Sequence, residues 1–103
     1  MDRKISNIGW ARTLVSLFLK KGVHHVCISP GSRNTPLTYA FLEHPGITCF
    51  SHIDERSSCF FGLGISKKIQ EPVVILTTSG TATANLFPGV IEAELSMTPL
   101  IIL

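Results

Sequence analysis

Residues 47–69, ITCFSHIDERSSCFFGLGISKKI, join a short β-type run directly to a helical run. The β-type run covers residues 47–51, and the helical run covers residues 57–69. Between them, His52-Ile53-Asp54-Glu55-Arg56 places two carboxylates where a strand ends and a helix begins. Ligands of open α/β sheets bind at that edge, so this segment is the centre of a candidate site.

Asp54 and Glu55 have different expected roles. Asp54 suits the N-cap, because its side chain can accept a free backbone N–H of the first turn. Glu55 then lies in the first turn, where the helix dipole favours its ionised form and apolar neighbours favour its neutral form. A carboxyl held between these influences can pass a proton. The alternative is an ordinary capping pair followed by a solvated Arg56.

The rest of the chain alternates between the two patterns. The first helical run has Ser6 or Asn7 as its cap, and the second starts at Pro36 with Thr35 as N-cap. The last helical run starts near Ala82 and has Pro88 near its first turns. Strands are predicted at residues 23–29, 47–53, 73–78 and 99–103. Because this alternation is typical of βαβ units, we expect an α/β fold. Its three layers are helices, a mostly parallel sheet and helices again (α/β/α).

The helix at residues 55–69 carries apolar groups nearly all round, which predicts burial on more than one side. Gly62 and Gly64 lower its helix propensity. We expect them to let another backbone come close.

Polar loops follow three of the predicted strands, at residues 30–35, 52–56 and 79–81. Parallel strands bring all three to one edge of the sheet, where they can form a single pocket. In the first loop, backbone N–H groups of Gly31 and Ser32 and the guanidinium of Arg33 suit a carboxylate or phosphate. The alternative is a polar loop with Arg33 in water.

The third loop, Ser79-Gly80-Thr81, can hold the edge of a ligand through backbone groups and hydroxyls. Taken alone, it is equally typical of a strand exit followed by an N-cap.

Composition limits the function. The chain is 45% hydrophobic and 16% charged with a net charge of +2, which favours a dense core and gives no basic stripe for nucleic acid. No apolar run reaches membrane-spanning length, and Met1-Asp2-Arg3-Lys4 leads into an amphipathic helix and not a signal peptide. Cys27, Cys49 and Cys59 cannot all pair with each other and lack metal-ligand spacing. We therefore expect a cytoplasmic protein, and a fragment, since residues 99–103 end it in an apolar strand.

Three segments together carry a family resemblance. They are ISPGSRNTPL at residues 28–37, DERS at residues 54–57, and TSGTA at residues 78–82 with Asn85 and Pro88 after it. In this order they resemble the N-terminal part of the 2-succinyl-5-enolpyruvyl-6-hydroxy-3-cyclohexene-1-carboxylate synthases (MenD). These are thiamine-diphosphate enzymes of menaquinone synthesis.

The resemblance implies that residues 1–103 form most of a truncated pyrimidine-binding (PYR) domain, with the rest of the enzyme absent. It implies that Glu55 hydrogen-bonds N1′ of the cofactor's aminopyrimidine and is the catalytic acid of this domain. The residues it places along the pyrimidine are Pro30, Gly31, Ser79 and Thr81. Those it places at the substrate are Ser32 and Arg33.

The implied reaction decarboxylates 2-oxoglutarate and adds the remaining four-carbon unit to isochorismate. The resemblance further implies a Mg²⁺ ion with ligands outside this fragment, and a homo-oligomer whose active site lies between subunits. The fragment alone is expected to be inactive.

Two other hypotheses stay open. In the first, the three loops hold a nucleotide or carboxylate ligand without catalysis. In the second, the chain is a structural remnant of an enzyme, although an intact Glu55 disfavours this.

Overall fold

A computed structural model describes residues 6–103 of the chain. The prediction for residues 1–4 lies outside the described residues. Four helices alternate with four strands: α1 (Asn7–Lys20), β1 (His25–Ile28), α2 (Thr35–Glu43), β2 (Thr48–Ser51), α3 (Glu55–Ile69), β3 (Val73–Leu76), α4 (Phe87–Leu95) and β4 (Leu100–Ile102). Two 3₁₀ segments, Ser32–Asn34 and Gly80–Leu86, precede α2 and α4.

The strands form one parallel sheet in the order β2-β1-β3-β4. Helices α1 and α2 cover one face, where Val26, Ile28, Val74 and Leu76 point into the first core cluster. Residues of α3 and of the second 3₁₀ segment meet the other face at Cys27, Val73 and Ile75. Every residue of β3 is buried, as expected for a parallel strand covered on both sides. The predicted three-layer α/β/α architecture is confirmed.

The cysteines belong to the core packing on the two faces of the sheet. All three are free thiols; Cys27 and Cys59 are fully buried and Cys49 is half-buried. Burial raises the pKa of the Cys27 thiol to about 12, and it also raises the pKa of Cys59. Both therefore stay neutral thiols near pH 7.

Helix α3 begins and ends at the predicted residues, but its burial is one-sided. Its buried residues are Ser58, Cys59, Gly62, Leu63 and Ser66. Phe60 and Phe61 are 40% and 44% exposed, so the prediction of burial on more than one side is wrong for this chain. The helix packs on the sheet, on α4 and on the segment before α4, and its outward side is left uncovered by the described residues.

The two glycines of α3 differ. A Cβ placed on Gly62 would lie 2.3 Å from Cδ1 of Ile75, so this glycine does permit a close approach, to a side chain of β3 and not to a backbone. A Cβ on Gly64 would meet no atom within 4 Å among the described residues. The expectation for Gly64 is wrong here, because Gly64 lies on the exposed side of the helix.

This difference gives a matched pair of variants. We expect Gly62→Ala to lower the free energy of unfolding of the chain by about 1–3 kcal/mol, because the added methyl overpacks the core against Ile75. Gly64→Ala should raise it by about 0.5–1 kcal/mol, because alanine is the better helix former and has open space there. Urea unfolding followed by circular dichroism measures both. Equal effects of the two variants would contradict this packing.

Two predicted helix starts are corrected by the 3₁₀ segments. Thr35 is not an N-cap: its backbone is already helical, and its hydroxyl donates to the carbonyl of Ser32 at 2.9 Å. The last α-helix begins at Phe87 and not near Ala82. Pro88 has no N–H, so it fits the first turn of an α-helix, and the residues before it are wound as a 3₁₀ segment.

Candidate functional site

The three predicted loops leave neighbouring strands at the same edge of the sheet. The N–H of His52 donates to the carbonyl of Ile28, which ties the exit of β2 to the end of β1. The N–H of Ser29 donates to the carbonyl of Leu76, which ties the exit of β1 to the end of β3. All three loops therefore start side by side at the carboxyl ends of the strands, where α/β proteins bind ligands.

Asn34 holds the first loop together from inside. Its side chain is only 4% exposed, and its Nδ2 donates to the carbonyl of Ser29 at 2.9 Å. Its Oδ1 accepts from the N–H of Gly31 at 3.1 Å and from the hydroxyl of Thr38 at 3.3 Å. A buried amide with these partners fixes the path of the loop.

At Gly31 the first loop contacts Thr78, the residue directly before the third loop. A Cβ placed on Gly31 would lie 2.5 Å from Cβ of Thr78 and 2.9 Å from its Oγ1, so only glycine leaves room for the first loop to approach this residue. The φ of Gly31 is −169°, which any residue can adopt. The close contact, and not the backbone conformation, therefore requires glycine here.

Glu55 is the first residue of α3 and is half-buried. Its Oε1 accepts a hydrogen bond from Nδ2 of Asn85 at 3.2 Å, so its side chain turns towards the segment that follows the third loop. Among the described residues, no second hydrogen bond reaches the Glu55 carboxyl.

Asp54 is the N-cap of α3, as predicted. It accepts from the N–H of Arg56 at 3.3 Å and from the hydroxyl of Ser57 at 2.8 Å. The Ser57 hydroxyl and, to a smaller extent, the Arg56 N–H hold the pKa of Asp54 below its usual value. A charged cap next to the first turn fixes where α3 starts and therefore where Glu55 lies.

The other predicted site residues share this edge but are more exposed. Pro30, Ser32, Arg33, Ser79 and Thr81 are all exposed. Arg33 borders a cavity of about 180 Å³ together with Trp10 and Pro36, between the first loop and α1. Among the described residues, no hydrogen bond joins Ser32 or Arg33 to Glu55. The structure thus brings Gly31 against Thr78, which precedes the third loop, and bonds Glu55 to Asn85. It leaves Arg33 on the side of α1.

Asn34 and Asn85 were not predicted as site residues. Asn34 lies three residues after a Pro-Gly pair and directly before a helix. Asparagine in such a loop often hydrogen-bonds the nearby backbone, and this local signal could have identified it. Asn85 lies thirty residues beyond Glu55, and no local pattern links the two.

These residues suit one part of the cofactor that the resemblance implies. The Glu55 carboxyl lies at the strand-end edge, and one of its oxygens accepts a hydrogen bond from Asn85. Its other oxygen can offer a hydrogen bond to a nitrogen heterocycle. Among residues 6–103, no group of three or more His, Cys, Asp or Glu side chains is arranged to hold a metal ion. Nor does the described part of the chain contain a helix with the length and hydropathy needed to cross a membrane.

Comparison with known proteins assigns the family. Residues 10–103 match the model of the thiamine pyrophosphate enzyme, N-terminal TPP binding domain. A 2-succinyl-5-enolpyruvyl-6-hydroxy-3-cyclohexene-1-carboxylate synthase of Haloarcula marismortui is 56% identical over 97 residues, which is 94% of this chain and 16% of that protein. The synthases of Roseiflexus castenholzii and Histophilus somni are 50% and 47% identical, and 17% and 19% of their lengths are covered.

These matches confirm the resemblance drawn from the three segments. The chain spans less than a fifth of the length of these relatives.

A solved structure has the same fold. Benzoylformate decarboxylase from Polynucleobacter necessarius superposes with a TM-score of 0.80 over 89% of this chain and 17% of that chain, at 24% sequence identity. The fold is therefore that of a PYR-type α/β domain. With the family model matched over residues 10–103, the chain belongs to the family of thiamine pyrophosphate enzyme N-terminal, TPP-binding domains.

Proposed function

We propose that this chain is most of the pyrimidine-binding domain of a thiamine-diphosphate-dependent synthase. The synthase decarboxylates 2-oxoglutarate and adds the remaining four-carbon unit to isochorismate. The observation that carries the proposal is the position of Glu55, a half-buried carboxyl at the strand-end edge with one oxygen held by Asn85. The names of the relatives that are 47–56% identical to this chain support the choice of reaction.

Glu55 acts in this proposal as a proton donor and acceptor towards the pyrimidine ring. Thiamine diphosphate, when bound, would supply a carbon nucleophile that adds to the carbonyl carbon of a 2-oxo acid, so that CO₂ leaves and the remaining unit can pass to an acceptor. Glu55 holds the proton that its carboxyl shares with ring nitrogen N1′. Because Asn85 occupies Oε1, we assign this role to the other oxygen of the carboxyl.

The first and third loops shape the walls of the site. Gly31 and Thr78 fix the distance between these loops. Pro30, Ser79 and Thr81 are proposed to line the pyrimidine through their backbone groups. A flat heterocycle needs walls of fixed separation, and protein groups that are already in place lose little freedom on binding it.

Ser32 and Arg33 are proposed to meet the substrates. Both proposed substrates carry carboxylates, and a guanidinium binds a carboxylate through two parallel hydrogen bonds. Arg33 is exposed on the α1 side of the first loop, and within residues 6–103 no hydrogen bond occupies its guanidinium.

The remaining assignments follow from the family resemblance. A Mg²⁺ ion and the diphosphate are proposed to bind to other parts of the enzyme, in a homo-oligomer with its active site between subunits. A cytoplasmic location is proposed because the three cysteines are free thiols.

The proposal is tested on the full-length protein with purified substrates. With thiamine diphosphate and Mg²⁺, we expect release of CO₂ from 2-oxoglutarate and formation of the carboligation product only when isochorismate is added. Titration calorimetry should detect binding of thiamine diphosphate. If the cofactor does not bind, while a nucleotide or a carboxylate does, the loops form a non-catalytic binding module instead.

A further inference from the structure

Asn85 is an exposed residue at the end of the second 3₁₀ segment, and it is bonded to a residue thirty positions earlier. Its Nδ2 lies 3.2 Å from Oε1 of Glu55. The adjacent Leu86 is 2% exposed and belongs to the core cluster on this face of the sheet. Asn85 therefore extends outwards from an anchored position.

The contact that anchors Asn85 lies one turn further along α3. Cys59 follows Glu55 by four residues, so the two side chains lie on the same face of the helix. Its Sγ lies 3.8 Å from the carbonyl oxygen of Leu86. A Cβ placed on Gly89 would lie 2.4 Å from that sulfur, so α4 packs closely against α3 at this point.

Two neighbouring contacts thus run along one interface. Cys59 meets Leu86 and Gly89 in the core, and Glu55 meets Asn85 at the edge. The contact of Cys59 with Leu86 and Gly89 sets the distance between α3 and the segment before α4. At that distance the Asn85 amide reaches the Glu55 carboxyl without a shift of either element.

We propose that Asn85 is a positioning residue for Glu55, an inference that rests on the proposed function. The Asn85 amide restrains the rotamer of Glu55 by holding Oε1. The second oxygen is thereby directed towards the pyrimidine nitrogen. Without the amide, the flexible glutamate side chain samples several rotamers in water, and few of them are productive.

Two variants of the full-length protein separate this role from a packing role. Asn85→Ala removes the amide, and we expect a loss of about tenfold in kcat because Glu55 is no longer held. Asn85→Asp keeps the shape but replaces the donor by a second carboxylate, and we expect a loss on the order of 100-fold from repulsion and misplacement. A packing role predicts the opposite order, with the nearly isosteric aspartate close to the wild type and alanine worse.

Thr83→Ala is the matched control. It removes a hydrogen bond of 2.9 Å within the same 3₁₀ segment, from the Thr83 hydroxyl to the carbonyl of Gly80, without touching Glu55. Its kcat and its dissociation constant for thiamine diphosphate should stay within about twofold of the wild type. If Thr83→Ala lowered kcat as much as Asn85→Ala does, the inference would be overturned, because the loss would then come from loosening of the 3₁₀ segment.

Crystal structures of the cofactor-free wild type and of cofactor-free Asn85→Ala test the contact between Glu55 and Asn85 independently of catalysis. We expect a single Glu55 rotamer bonded to Asn85 in the wild type and several rotamers in Asn85→Ala. A Glu55 side chain that is ordered and unmoved in Asn85→Ala would overturn the inference. A wild type that shows the bonded pair but does not bind thiamine diphosphate would support the pairing and count against the proposed function alone.

Discussion

Replacing Glu55 by glutamine in the full-length protein is expected to lower kcat by about 10²–10⁴-fold, the range typical for loss of a positioned acid or base. Glutamine keeps the size of the side chain and can still bond Asn85 through its carbonyl oxygen. It cannot exchange a proton with a ring nitrogen. Activity should therefore fall, while the circular dichroism spectrum and the melting temperature stay close to those of the wild type.

Two further variants sharpen this result. Glu94→Gln makes the same chemical change at an exposed residue of α4 and should leave kcat within about twofold of the wild type. Glu55→Asp keeps an acid but shortens it by one methylene, so we expect an activity between those of the wild type and Glu55→Gln. If Glu55→Gln retained full activity, proton transfer by this residue would be excluded.

Gly31→Ala is expected to weaken binding of thiamine diphosphate by roughly 5- to 150-fold, which corresponds to about 1–3 kcal/mol of overpacking. The added methyl would overlap Cβ, Cγ2 and Oγ1 of Thr78, and the first of these cannot rotate away. The first and third loops must therefore separate. The backbone of Gly31 is extended and accepts alanine, so the loss is expected to come from this contact alone.

A second substitution should reverse the effect. Thr78→Gly removes all three atoms that the new methyl would meet. The double variant Gly31→Ala/Thr78→Gly is expected to recover most of the affinity lost by Gly31→Ala, as measured by titration calorimetry. An affinity of Gly31→Ala equal to that of the wild type, or no recovery in the double variant, would show that the loop contact does not shape the cofactor site.

Local sequence signals predicted the elements that carry the site. Asp54 is a strong N-cap residue, and the helix after it begins at Glu55 and ends at Ile69, as expected. The run of β-branched residues from Val73 predicted a strand buried on both faces, because only a central parallel strand hides every side chain. These predictions succeeded because each depends on residues a few positions apart.

The features that were missed depend on distant residues. The bond from Asn85 to Glu55 requires α3 and the segment before α4 to pack at a fixed distance, and Gly89 against Cys59 sets that distance. In the same way, Gly62 contacts a strand whereas Gly64 faces outwards, although they are two residues apart in one helix. The sequence shows that a glycine is present, but the orientation of the helix decides what the glycine contacts.

In the proposed mechanism, Glu55 gives a proton to a bound heterocycle at the edge of the sheet. A crystal structure of the full-length protein with thiamine diphosphate measures this directly. We predict that a carboxyl oxygen of Glu55 lies within roughly 2.6–3.2 Å of the pyrimidine nitrogen N1′, with Asn85 bonded to the other oxygen. A pyrimidine bound elsewhere, or a Glu55 side chain turned into solvent and away from the ring, would contradict this role of Glu55.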